Sequence, residues 1–133
     1  MKVAFTTSDG THINTHFGLA KDIDVYEVSK DGFNFLETLT FEGDLEEAAH
    51  EDKITPKMEA VLDCRIVYVK AIGKPAGNKL MKEGVTPIRA QEYDTIPNIL
   101  YMLVQSLNGD APPMLRKALQ LEENELAYSH DEE

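Results

Sequence analysis

The order of elements along this chain predicts an α/β domain, with a five-stranded mixed sheet and helices on both faces. Three observations carry the prediction. Residues 2–41 hold three strand-like segments separated by turn chemistry. Residues 65–72, RIVYVKAI, form a nearly continuous β-branched run of the kind buried in a parallel sheet. After that run helical and strand patterns alternate, so the later strands arrive by right-handed crossovers. Placing the 65–72 strand beside the first strand gives the order 3-2-1-4-5, with strand 2 antiparallel.

Each element has its own signal. Lys2–Thr7 has an apolar centre and reads as a buried strand, and Ser8-Asp9-Gly10-Thr11 is turn chemistry. A polar loop continues to Gly18. Asp22–Ser29 alternates Ile23 and Val25 against Asp22 and Asp24. Lys30-Asp31-Gly32 turns into Asn34–Phe41, where Phe35, Leu39 and Phe41 mark one face. A helix fits Thr55–Asp63, with Thr55 as N-cap, Pro56 in the first turn and Ile54, Met58, Val61 and Leu62 as its buried stripe. Gly73–Gly77 reads as a loop into a short helix, Asn78–Glu83, capped by Gly84; Thr86–Ala90 is an edge strand. Thr95–Leu107 repeats Ile96, Ile99, Leu100, Leu103 and Leu107 at helical spacing. Pro112–Leu121 reads as a last helix that packs through Met114, Leu115, Ala118 and Leu119. Residues 1–121 form one domain in this reading, and 122–133 an acidic tail without fixed structure.

Bulk properties narrow the function classes. The chain has 133 residues and a net charge of −11. Six acids lie between Glu42 and Asp52 and six between Glu122 and Glu133, and no basic patch offsets them, so nucleic acid is not an expected partner. No apolar run reaches the roughly 18 residues of a membrane span, and the start of the chain reads as a strand rather than a signal peptide. A cytoplasmic protein, monomeric or weakly dimeric, is expected. Cys64 is the single cysteine, which excludes an internal disulfide and every polycysteine metal site. A bound metal must therefore bring most of its coordination shell with it.

The predicted topology also locates a site. Ligands of open α/β sheets sit beyond the carboxyl ends of the strands, where neighbouring connections leave in opposite directions. Here that point lies between strand 1 and the 65–72 strand, flanked by the loops Ser8–Gly18 and Gly73–Gly77. The first loop carries His12 and His16, which read either as two solvated loop histidines or as imidazoles able to meet on one metal. Phe17 reads as a core plug that anchors the loop, and Gly18 as a tight turn. Gly73 and Lys74 lead into a helix start, which is either an ordinary connector or an anion seat. Cys64 belongs to the opposite end of the central strand, about 26 Å away for eight residues, and should not share a ligand with His16. No nucleophile elbow, HExxH or four-carboxylate centre is present, so an enzyme is not expected.

Several segments taken together resemble a known family. They are Lys2–Gly10 (KVAFTTSDG), then His16-Phe17-Gly18, Val25-Tyr26, Leu62–Tyr68, Ala71-Ile72-Gly73 and Leu80–Pro87. In order and spacing they resemble the dinitrogenase iron–molybdenum cofactor biosynthesis family over roughly residues 2–105. That resemblance implies a ribonuclease H-like three-layer fold. It also implies a non-catalytic carrier of the nitrogenase iron–molybdenum cofactor or its iron–sulfur precursor, with nitrogenase cofactor-assembly proteins as partners. The resemblance makes His16 the metal ligand. The full candidate binding set is His12, His16, Phe17, Gly18, Gly73 and Lys74. Two other readings stay open: an interaction module that docks on assembly proteins without holding a cluster, and a metal-dependent enzyme of the ribonuclease H-like group.

Overall fold

The computed structural model describes residues 1–41, 54–109, 115, 116 and 118. The expected acidic segment at 42–52 and the acidic tail lie outside them. The strands are β1 (Lys2–Thr6), β2 (Asp22–Ser29), β3 (Gly32–Thr40), β4 (Cys64–Val69) and β5 (Thr86–Arg89); the helices are α1 (Ile54–Ala60), α2 (Lys74–Lys82) and α3 (Ile96–Leu107). The sheet order is β3-β2-β1-β4-β5, as the sequence predicts. β1 is antiparallel to β2 and parallel to β4, and β4 is parallel to β5.

Two core layers follow from strand alternation. Val3, Phe5, Ile66, Tyr68 and Ile88 face α3 and pack with Ile96, Ile99, Leu100 and Leu103. Ala4, Ile23, Val25, Val67 and Val69 face the other way, against Val61, Leu80 and Val85. This is the three-layer arrangement of the ribonuclease H-like fold. Leu115 and Ala118 are helical and join the α3 layer; the rest of the expected last helix lies outside the described residues. No helix of the described residues is long and apolar enough to cross a membrane.

Three expectations about the helices need correction. Gly73–Gly77 is not a loop: α2 begins at Lys74, and Gly77 is buried inside it. Pro75 stands at the first positions of that helix, where its missing N–H costs nothing and its fixed φ already suits a helix. Thr55 is not a cap, because the helix already includes Ile54. The buried face of α1 also differs: Ile54 and Leu62 are exposed, whereas Lys57 is only 2% exposed. The apolar stripe expected of α3 holds, with Ile96, Ile99, Leu100 and Leu103 buried and Leu107 packed beside them, and Thr95 caps the helix through Oγ1, which accepts the Asn98 amide at 3.4 Å.

Candidate functional site

The β1–β2 connection crosses the carboxyl end of the sheet and is fastened on both sides of it. Ile13 is buried in the α3 layer and Phe17, 0% exposed, in the α1–α2 layer. The two apolar plugs make the intervening residues bridge the sheet edge between β1 and β4. That end is the topological switch point, where open α/β sheets in general bind their ligands.

The first half of the connection is organised by Asp9. Its Oδ1 accepts the backbone amides of Thr11 at 2.8 Å and His12 at 2.7 Å, and its Oδ2 lies 2.7 Å from His12 Nδ1. The two His12 and Thr11 amides, with the imidazole, hold the carboxyl well below the usual carboxylate range. Gly10 sits at φ 78°, a left-handed conformation that glycine takes without a Cβ clash. Thr7 Oγ1 accepts the Gly10 amide at 3.0 Å. The Thr11 carbonyl then receives the Ile96 amide at 2.8 Å, which ties this half to the start of α3.

The second half runs along the end of β4. Thr15 O accepts the Lys70 amide at 3.1 Å and the Thr6 hydroxyl at 2.8 Å. Phe17 N donates to Ala71 O at 2.9 Å, so His16 sits in a parallel bridge opposite Ala71. One 3₁₀ turn, Phe17–Leu19, follows directly. The His16 side chain is exposed on this fixed backbone. Beneath the turn, Lys57 Nζ donates to Gly18 O at 2.7 Å and to Phe17 O at 3.4 Å, and lies 5.8 Å from the centre of the Phe41 ring. Burial pushes the Lys57 ammonium pKa below its ordinary value.

The candidate residues thus divide by accessibility. His12, His16 and Lys74 are exposed at this end of the sheet, with Gly73 as the N-cap of α2. Phe17 has no exposed surface and serves the loop as an anchor, and Gly18 lies against Ile54. His12 is engaged by Asp9 through Nδ1, which leaves Nε2 as its other ring nitrogen. Residue-level reasoning about the site missed Lys57. Lys57 shares a helical face with Met58 and Val61, and once that face packs on the core its ammonium needs bonded partners that the spacing does not name.

Cys64 is at the opposite end of the sheet, paired with Lys2 and 3% exposed. Burial, with the Asp63 carboxylate beside it, pushes its thiol up to about 12. A cleft of about 330 Å³ lies next to it, lined by Lys2, Asp63, Arg65 and Glu83 among others. Lys2 and Asp63 form an ion pair across this rim at 2.6 Å. Among the described residues no three His, Cys, Asp or Glu side chains are grouped to hold a metal ion.

Comparison with known proteins agrees with this architecture. The model of the family described as dinitrogenase iron-molybdenum cofactor matches residues 1–106. Protein NifX of Herbaspirillum seropedicae is 40% identical over 120 residues, which cover 90% of this chain and 82% of that protein. The FeMo cofactor biosynthesis protein NifB of Bradyrhizobium diazoefficiens is 34% identical over 95 residues, 71% of this chain but only 19% of the longer relative. Among solved structures, PH0822 superposes with a TM-score of 0.60 at 16% identity, over 80% of this chain and 91% of that one, a likeness of fold alone. The chain belongs to the dinitrogenase iron–molybdenum cofactor family, in its NifX-type branch.

Proposed function

We propose that this protein acts in nitrogenase cofactor biosynthesis as a non-catalytic carrier. It binds the iron–molybdenum cofactor, or the iron–sulfur precursor of it, at the His16 turn and passes it to another assembly protein. The observation that carries this reading is the pairing of an exposed imidazole with a rigid seat at the switch point. His16 is held by the Ala71 bridge and by the buried Phe17, so the ligand atom is presented without the entropy cost of ordering a free loop.

The chemistry suits a cargo rather than a resident metal. A lone metal ion needs several protein donors, and the described residues offer no such group. A preassembled cluster brings its own sulfides and needs one imidazole to fill an open position. Few bonds to the carrier also make the cargo exchangeable. Lys70 and Lys74 are exposed at the same end of the sheet, and the start of α2 there has no side-chain cap, so the local field is more favourable to an anion than the net charge of −11 implies. His12 Nε2 is the second imidazole nitrogen available to the cargo.

The test is anaerobic titration with the isolated cofactor and with its precursor, followed by visible absorbance and metal analysis of the gel-filtered protein. The carrier reading expects one cluster per chain and loss of the bound cluster in His16→Ala. Binding by His16→Ala as tight as wild type sinks the site. Failure to bind either cluster, with retained binding to a cofactor-assembly protein, supports an interaction module instead. Magnesium-dependent hydrolysis of nucleic acid would point to an enzyme.

A further inference from the structure

The most unusual buried group among the described residues is Lys57. A lysine is almost never 2% exposed unless its ammonium is bonded. Here both hydrogen-bond acceptors belong to the candidate site. Nζ donates to Gly18 O at 2.7 Å and to Phe17 O at 3.4 Å, and it lies over the Phe41 ring at 5.8 Å. No carboxylate is paired with it among the described residues. The Phe17 and Gly18 carbonyls follow His16 directly in the 3₁₀ turn, where Phe17 O also accepts the Ala20 amide at 3.4 Å. The Lys57 cation adds a second donor to Phe17 O and a short one to Gly18 O, and a charged donor bonds more strongly than a neutral one.

We propose that Lys57 is the positioning residue of the His16 turn. Its ammonium holds the two carbonyls next to His16 and so fixes where the imidazole is presented to the cargo. The inference deepens the carrier reading and rests on it for the identity of the ligand. Its consequence is that α1 and the His16 turn move as one unit. The Ala71 bridge holds the turn from the sheet side, and Lys57 holds it from the helix side. A carrier must present its ligand atom in one orientation while keeping the contact reversible, and a turn clamped from two sides does this without adding a second metal ligand.

The experiment compares wild type with Lys57→Met, which keeps the aliphatic length and removes the charge and donors. In the wild type the Lys57 ammonium is expected to give a slowly exchanging hydrogen-bonded Nζ signal by NMR. A freely exchanging ammonium would overturn the proposal, whatever the variant does. In Lys57→Met the amides of Phe17 and Ala20 are expected to exchange about tenfold faster or more, while those of Tyr26 and Val67 keep wild-type rates. Uniform acceleration across the sheet means that Lys57 serves packing only and overturns the proposal, as does no acceleration at the turn. The same variant is expected to bind isolated iron–molybdenum cofactor about tenfold more weakly, with His16→Ala weaker still. If His16→Ala binds normally, the carrier reading fails, whereas selective loosening in Lys57→Met still supports the clamp. If His16→Ala loses the cofactor and Lys57→Met binds as wild type with an unchanged turn, the carrier reading stands and the clamp is wrong.

Discussion

The two ends of the sheet offer opposite answers to the question of where a metal could bind. The amino end carries the better ligand by chemistry, a thiol, but Cys64 is 3% exposed and its pKa is pushed up to about 12. The carboxyl end carries an ordinary imidazole, His16, exposed on a backbone that Ala71, Phe17 and Lys57 hold in place. A thiol that neither ionises nor meets solvent behaves as a small apolar side chain. Presentation rather than intrinsic affinity is thus the ground on which we propose the carboxyl end.

The comparison can be broken first at Cys64. A pKa near 12 instead of 9.0 lowers the thiolate fraction at pH 8 by roughly a thousandfold. Alkylation of the native protein by iodoacetamide should be slower than that of the unfolded chain by at least this factor. A rate within tenfold of the unfolded chain would show that the thiol is available after all. Next in size is the anchor. Phe17→Ala empties a fully buried ring site and should cost about 3–5 kcal/mol in urea unfolding. A loss below 1 kcal/mol would mean that the turn is not held by its plug.

Affinity gives the third comparison. His16→Ala should weaken cofactor binding by about a hundredfold, while Cys64→Ala should leave it within about twofold, both read by anaerobic titration. Equal losses in the two variants would erase the distinction between the ends. The smallest effect concerns Asp9. Its carboxyl pKa is depressed in the fold, so the bonds it makes are complete above its unfolded value of 3.8 and are lost only as pH falls through the lower folded value. Protection of the Thr11 and His12 amides should therefore persist at pH 4, and Asp9→Asn should reduce it at neutral pH. Loss of protection already at pH 5 would contradict the assigned bonds.

The two edges of the sheet show how far such reasoning goes. β5 is short and holds Pro87 and Arg89, features that discourage pairing with a further strand. β3 runs nine residues with Glu37 as its one charge and with Phe33 and Phe35 exposed, beside Tyr26 at 6.3 and 5.4 Å. The alternation expected for Phe35 and Leu39 on one face fails there. Opposite the Val25–Tyr26 step β3 has one extra residue, Leu36, so Phe35 pairs with Tyr26 of the α3 layer and Leu39 with Ile23 of the α1–α2 layer. A one-residue slip of register reverses faces, and nothing in the local pattern announces it.

Much was legible before the fold was seen. Apolar runs and turn residues are local signals, so strand order, layering and the position of the His16 loop at the switch point all followed from them. The resemblance in His16-Phe17-Gly18 singled out one imidazole of two. The start of α2 differs from the sequence reading because Gly73 and Gly77 look like loop residues, whereas Gly77 packs against Ile72 and Pro87 inside the helix. Lys57 was missed because a charged residue is normally assigned to a solvated face.

What the sequence determined by itself was the topology, since periodicity and crossover handedness depend on neighbours along the chain. What only the tertiary structure decided was which chemical groups are presented and which are hidden. Burial of Cys64, the Asp9 grip on His12 and the Lys57 clamp all join residues that are brought together by packing. In water each of those side chains would behave as its type predicts. In the fold, desolvation and bonded partners set what each can do, and those follow from three-dimensional neighbours that no local spacing encodes.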